Sequence, residues 1–226
     1  MVEVKVKQAK DIDFSFMPTL ECNLECPHCM YDVSPENIDI LNYDFTKEFV
    51  NTFDWEQINS CGFYGGEPSI NLDLYKKYIN LIPEEIPKFM ITNGNWSVQW
   101  TDLIEFVNYI MDNNIQVFVS SSPYHIEYQN EKLLAVAIKA AKGLIQIKDE
   151  DELFLPMGRL AEDDWTCTKK CLRWNKPMRL ALQPSGNVIY QGCDGVYPII
   201  GTYYNQLETL IEFIKNKRFC DKLLQE

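Results

Sequence analysis

Apolar positions along this chain recur in two rhythms. Short, dense runs at residues 14–20, 58–64, 88–92, 116–120, 152–157 and 178–183 read as strands. Between and after them the spacing changes to that of helices. Leu103, Ile104, Val107, Ile110 and Met111 line one helical face, and Leu133, Leu134, Ala137, Ile138 and Ala141 line another that Gly143 would close as a C-cap. Leu207, Leu210, Ile211 and Ile214 mark a last helix. Strands alternating with helices predict βα units and a mainly parallel sheet. The chain carries no internal repeat and no low-complexity linker.

Chemistry-bearing residues fall in register with this pattern. Cys22 follows the first predicted strand, Gly65 the second, Asn93-Gly94 the third, Ser121-Ser122 the fourth and Gly158-Arg159 the fifth. In parallel α/β folds the βα loops converge at the carboxyl ends of the strands, and ligands bind there. One shared site at that edge is the expectation. Cys61, inside a strand-like run, reads as a core residue, since buried cysteine behaves as a small hydrophobe.

Composition narrows the class. The chain has 226 residues, 46% of them apolar, enough for one domain with a small appendage. No run reaches the roughly 20 apolar residues of a membrane span, and the first residues lack a secretory signal. Eight cysteines in such a chain point to a reducing compartment, the cytoplasm, and to metal ligation over disulfides. A net charge of −12 excludes general binding to a nucleic-acid backbone. Against that background Lys169, Lys170, Arg173, Lys176 and Arg179 form a basic stretch, either a solvated loop or a local attraction for an anionic substrate group or acidic peptide.

The densest chemical signal is Cys22-Asn23-Leu24-Glu25-Cys26-Pro27-His28-Cys29. Three thiolates in a short loop suit an iron–sulfur cube with one iron left open, because cube-type clusters are held by cysteine sulfur. The same residues, with His28 interposed, also suit zinc, or reduced thiols holding no metal.

With Gly65-Gly66-Glu67-Pro68 downstream, the Cys-x3-Cys-x2-Cys loop resembles the radical S-adenosylmethionine (radical SAM) enzymes. The resemblance implies a partial (β/α)6 TIM-like barrel in which Cys22, Cys26 and Cys29 ligate a [4Fe–4S] cluster and SAM chelates the open iron. It assigns Gly65, Gly66, Glu67 and Pro68 to the methionine end of SAM. It places Asn93, Ser120 and Ser122 near the rest of SAM, where turn chemistry for Asn93 and a strand-end cap for the serines are the alternatives. Arg159, in Leu-Pro-Met-Gly-Arg, is a candidate carboxylate partner through its two-pronged guanidinium, or one half of a surface ion pair. His28 stands where the family usually has an aromatic residue against the adenine. His125, on the loop after the fourth strand, is either within reach of substrate or, as is commoner for histidine, at the surface. The implied reaction is reductive cleavage of SAM to a 5′-deoxyadenosyl radical that abstracts a substrate hydrogen, fed by flavodoxin or ferredoxin. An apolar barrel interior is expected, since stray donors would quench a radical.

Residues 1–160 then form the barrel core, and residues 161–226 a small extension. In the latter, Cys171, a hairpin turning at Pro184-Ser185-Gly186-Asn187, Cys193 and Cys220 resemble the auxiliary-cluster region of SPASM or twitch proteins, with Cys167 as a possible fourth ligand of a second [4Fe–4S] cluster. Structural zinc or unligated thiols are the alternatives there. A peptide or a small metabolite is the implied substrate. Cys22 comes too early for a peptide-recognition domain ahead of it, which weighs against a peptide. Met30-Tyr31 after Cys29 departs from the Thr or Ser of carboxydeazaguanine synthases. A non-enzymatic iron–sulfur or zinc protein is the remaining class.

Overall fold

The computed structural model describes residues 12–31, 33–149, 178–191 and 199–216. Arg159, Cys167, Cys171, Cys193, Cys220 and the strand expected at 152–157 lie outside the described residues. Among the described residues eight strands form one sheet in the order β5-β4-β3-β2-β1-β6-β7-β8. These are β1 (Ile12–Phe16), β2 (Ile58–Phe63), β3 (Lys88–Thr92), β4 (Ile115–Ser121), β5 (Ile145–Asp149), β6 (Met178–Leu182), β7 (Asn187–Tyr190) and β8 (Ile199–Thr202). From β5 to β6 every neighbouring pair is parallel; β7 and β8 add antiparallel. The helices are α1 (Tyr43–Val50), α2 (Leu72–Ile79), α3 (Trp100–Asp112), α4 (Pro123–Ile126), α5 (Glu131–Ala140) and α6 (Leu207–Asn216). This is an α/β, partial TIM-like barrel whose sheet is not closed. The expected hairpin is present, turning at Gly186 with φ +82° and joining β6 to β7.

Asparagine side chains start three of the helices, accepting from the backbone N–H three residues on: Asn42 from Phe45, Asn71 from Leu74 and Asn130 from Leu133. Each such cap stabilises its helix by about 1 kcal/mol.

The two faces of the sheet differ in chemistry. Register aligns Phe14 with Cys61 and Leu180, and Phe16 with Phe63 and Leu182. Met90, Val117 and Ile145 continue that layer across β3, β4 and β5. These residues are buried in one core with Phe49 and Val50 of α1, Tyr78 of α2, Phe106 of α3, Ala137 of α5 and Leu210 of α6. Cys61 is fully buried there, as expected. The opposite face carries Asp13 and Ser15 on β1, Gln116 and Ser120 on β4, and Phe89, Ile91 and Phe118 between them. That inner face therefore carries both polar and apolar residues. In βα architecture the continuous apolar layer belongs to the helix-covered face, where burial of each large side chain yields about 1.5–3 kcal/mol.

Candidate active site at the carboxyl ends of the strands

Past β1 the chain is strapped in place by backbone hydrogen bonds: Leu20 N–H to Asp39 O, Cys22 N–H to Ser34 O and Leu41 N–H to Pro18 O. Cys22 is buried, and with Leu24 and Val33 forms a small apolar cluster against which Cys26, Cys29 and Tyr31 pack. Burial pushes the Cys22 thiol up to about 12, opposed by the Leu24 N–H and reinforced by the charges of Glu67, Cys26 and Cys29. An ionised sulfur here is stabilised by a nearby cation or by hydrogen-bond donors. Two donors already face that sulfur, the Leu24 N–H at 3.4 Å and the Asn93 amide at 3.8 Å.

Gly65-Gly66-Glu67-Pro68 lies directly against this loop. Gly66 N–H donates to Thr19 O at 2.8 Å and Glu67 N–H to Glu21 O at 2.9 Å. A Cβ on Gly66 would sit 1.8 Å from Glu21 O, so only glycine permits the approach. Gly65, with φ +126°, needs glycine for its backbone conformation as well. The Glu67 carboxylate, 2% exposed, is engaged by the protein. Its Oε1 accepts from the Ser69 N–H (3.0 Å), the Ser69 hydroxyl (2.7 Å) and the Thr92 hydroxyl (2.6 Å), and its Oε2 from the Asn93 N–H (2.7 Å). Burial raises the Glu67 carboxyl above its ordinary value, while the Thr92, Asn93 and Ser69 donors pull it back. Pro68 opens the short 3-10 turn Pro68–Asn71 that Glu67 caps.

The ends of β3 and β4 complete the rim. Asn93 follows β3, with its amide on Asn23 Oδ1 at 2.8 Å and its Oδ1 accepting from the Asn95 N–H at 2.9 Å. The Gln129 amide bridges Asn93 O (2.7 Å) and Ser120 O (2.8 Å), pinning the two strand ends together. Ser120 lies within β4, near its end rather than past it, because pairing with β5 carries the strand to Ser121. Ser122 caps α4, its hydroxyl accepting from the Tyr124 N–H at 3.3 Å and lying 2.9 Å from His125 Nδ1. His125 is not at the surface: it is 8% exposed, with Nε2 3.6 Å from Cys26 Sγ. The short α4 turn folds it inward onto the cysteine loop. His28 stacks on Tyr124 with ring centroids 5.0 Å apart and meets His125 edge-on at 5.2 Å.

A second hydrogen-bonded group lies beside the site and was not legible in the sequence. The Tyr64 hydroxyl donates to Gln191 Oε1 at 2.9 Å, the Gln191 amide donates to the Tyr31 hydroxyl, and the Tyr31 and Tyr64 rings stack at 5.9 Å. Tyr31 stands two residues past Cys29 and Tyr64 just before Gly65, so both touch a motif in sequence. Gln191 reaches them only because the β6–β7 hairpin folds back beside β1.

Cys22, Cys26, Cys29, His28, Gly65, Gly66, Glu67, Pro68, Asn93, Ser120 and Ser122 thus all lie in the loops and strand ends at one edge of the sheet. Among the described residues no three His, Cys, Asp or Glu side chains converge as a single metal ion requires. A cube binds each thiolate at a separate iron, so its ligands surround a volume instead of a point. The three thiols on one loop, with N–H donors on Cys22, fit such a cluster.

No protein-family model matches this chain, and no curated protein does. Solved structures do. The chain is similar to native anSMEcpe with bound AdoMet and Cp18Cys peptide, with a TM-score of 0.57 and 15% identity over 89% of this chain and 80% of that one. It is similar also to BtrN in complex with AdoMet and 2-DOIA, with a TM-score of 0.61 and 17% identity over 90% and 85% of the two chains. Both structures hold AdoMet, and the fold of this chain is theirs. Among the described residues no helix is long and apolar enough to cross a membrane.

Proposed function

We propose that this chain is a radical SAM enzyme, with Cys22, Cys26 and Cys29 as ligands of a [4Fe–4S] cluster and SAM as cosubstrate. When bound, these groups supply a 5′-deoxyadenosyl radical that takes a hydrogen atom from the substrate. The observation that carries the reading is the fusion of two distant motifs. The Gly66 and Glu67 N–H groups clamp the backbone that leads into Cys22, with no room for a Cβ between them. Merely holding a cluster would not require the second motif there.

The chain's own residues then have separate tasks. Gly65 and Gly66 bring backbone close to the cysteine loop, where the methionine end of SAM would lie. Glu67 holds that turn to the end of β3 through Thr92 and Asn93. His28 and Tyr124 present a stacked aromatic pair beside the cysteine loop for the adenine end. Asn93, Ser120 and Ser122 line the rim toward the ribose and carboxylate, with Arg159 as a carboxylate partner. The electron comes from a low-potential donor such as flavodoxin or ferredoxin, and the setting is the cytoplasm.

For the substrate, a peptide or a small metabolite is proposed, with oxidation or a lyase-type bond change as the outcome. The two fold neighbours are bound to one of each, the Cp18Cys peptide and 2-DOIA. The mixed inner face suits a substrate with polar and apolar parts. Residues 161–226, whose β6 joins the barrel sheet beside β1, are proposed to contribute Cys167, Cys171, Cys193 and Cys220 to an auxiliary cluster. Anaerobic reconstitution with about eight irons per chain, falling to about four in Cys193→Ala, would support it, because each cube holds four.

The test of the main reading is SAM cleavage. The reconstituted, dithionite-reduced protein is expected to form 5′-deoxyadenosine and methionine, and Cys26→Ala is expected to form neither. No 5′-deoxyadenosine from the intact, cluster-loaded protein would overturn the reading.

A further inference from the structure

His125 has no role in the reading above, yet it is buried and aimed at a proposed cluster ligand. It reaches Cys26 from a residue separation of 99, so the contact is made by the fold and not by local chain geometry. We infer that His125 is a positioning residue that donates its Nε2–H to the Cys26 thiolate and raises the reduction potential of the cluster, with Ser122 fixing the tautomer. This rests on the cluster assignment of Cys26.

The hydrogen-bond arithmetic leads there. A serine hydroxyl has one donor and two acceptor sites. Ser122 Oγ accepts from the Tyr124 N–H at 3.3 Å and keeps its own O–H to donate to His125 Nδ1, 2.9 Å away, the direction that an acceptor-only sulfur on the other side of the ring requires. With Nδ1 accepting, the ring proton sits on Nε2, the nitrogen 3.6 Å from Cys26 Sγ. Iron ligation removes the thiol proton, so the sulfur can only accept. The opposite tautomer would set two lone pairs against each other inside a buried contact. The edge-on contact with His28 at 5.2 Å confines the ring further.

Hydrogen bonds to the sulfurs are one of the determinants of iron–sulfur potentials. A donor on the thiolate draws electron density from the sulfur and favours the form carrying the extra electron. Here the effect eases one-electron reduction of the cluster by a low-potential flavodoxin- or ferredoxin-type donor. His125 would thus act on the Cys26 corner as the Leu24 N–H and the Asn93 amide act on Cys22.

The test is an EPR-monitored redox titration of the reconstituted protein without SAM, alongside its iron content. His125→Leu is expected to retain iron and shift the midpoint to lower potential. His125→Gln, which keeps an N–H donor, is expected to recover most of the shift. Ser122→Ala, which frees the tautomer, is expected to shift it part of the way in the same direction. An unchanged midpoint in iron-loaded His125→Leu overturns the inference while leaving the cluster assignment intact. If His125→Leu cannot be loaded, Ser122→Ala decides: a shift downward supports the inference, and wild-type behaviour overturns it. Wild-type protein that takes up no cluster overturns both readings at once.

Discussion

Gly66→Ala isolates the contact on which the site is built. The added Cβ would lie 1.8 Å from the carbonyl oxygen of Glu21, 2.6 Å from its carbonyl carbon and 2.9 Å from its nitrogen. Ordinary nonbonded contact begins at 3.4 Å, so one backbone segment must retreat by about 1.6 Å from the 1.8 Å approach to the oxygen. All three atoms are main chain, and no rotamer change relieves them. The retreat breaks the 2.8 Å bond from Gly66 N–H to Thr19 O and the 2.9 Å bond from Glu67 N–H to Glu21 O. Each bond contributes about 1 kcal/mol net, and forced overpacking adds about 1–3 kcal/mol. A loss of about 3–5 kcal/mol follows, which at a slope of about 2 kcal/mol per molar urea lowers the unfolding midpoint by roughly 2 M. Gly143→Ala is the control: φ is +95° there but nothing lies within 4 Å of the added atom. It tests conformation without contact, at a cost of about 1–2 kcal/mol. Urea unfolding of the apoprotein by circular dichroism measures both. A Gly66→Ala midpoint within roughly 0.3 M of wild type, or a Gly143→Ala loss as large, would refute the close-approach argument.

Glu67→Gln should destabilise the protein by about 1–3 kcal/mol, because an amide NH2 must face either the Asn93 N–H or the Ser69 and Thr92 donors. An unchanged thermal midpoint would show that the carboxylate is not so enclosed. Cys61 gives a pH signature: burial holds its thiol up at about 12, above the unfolded value. Its stabilising share is complete below the unfolded pKa of about 8.5 and falls by about 1.4 kcal/mol per pH unit as pH rises toward 12. Cys61→Ala should lack that component of the alkaline loss, and parallel stability curves for wild type and variant from neutral pH to pH ~10.5 would contradict it. Gln129→Ala removes the amide that ties Asn93 O to Ser120 O, and should cost about 1–3 kcal/mol. Faster amide exchange at the ends of β3 and β4 would locate the loss, and exchange unchanged there would count against the bridge.

Much of the architecture was legible because burial leaves a strong pattern. β3 was read with the bounds it has, and β2, β4 and β6 to within a residue at each end. The strand at 14–20 was read too long and started too late, since the chain leaves the sheet after Phe16 to form the strap before Cys22. β5 was missed: Ile145-Gln146-Ile147-Lys148 alternates correctly, but it is a short strand with few apolar residues. α1 and α2 escaped because their buried positions include tyrosine and threonine: Tyr75 and Tyr78 in α2, and Thr46 beside Phe49 in α1. The motif residues were legible because their chemistry is carried by residue type and spacing. The contact of His125 with Cys26 and that of Gln191 with Tyr64 were not, although His125 was placed on its loop, because both are made across the fold. No local pattern encodes such a contact.

The central claim is that three thiolates grip a cube and leave one iron for SAM. EPR of the anaerobically reconstituted, reduced protein, recorded before and after adding SAM, tests it most directly. The account predicts a reduced cluster signal that SAM reshapes, with 5′-deoxyadenosine accumulating in the same sample. A signal indifferent to SAM, or X-ray absorption showing zinc bound to Cys22, Cys26 and Cys29, would contradict it.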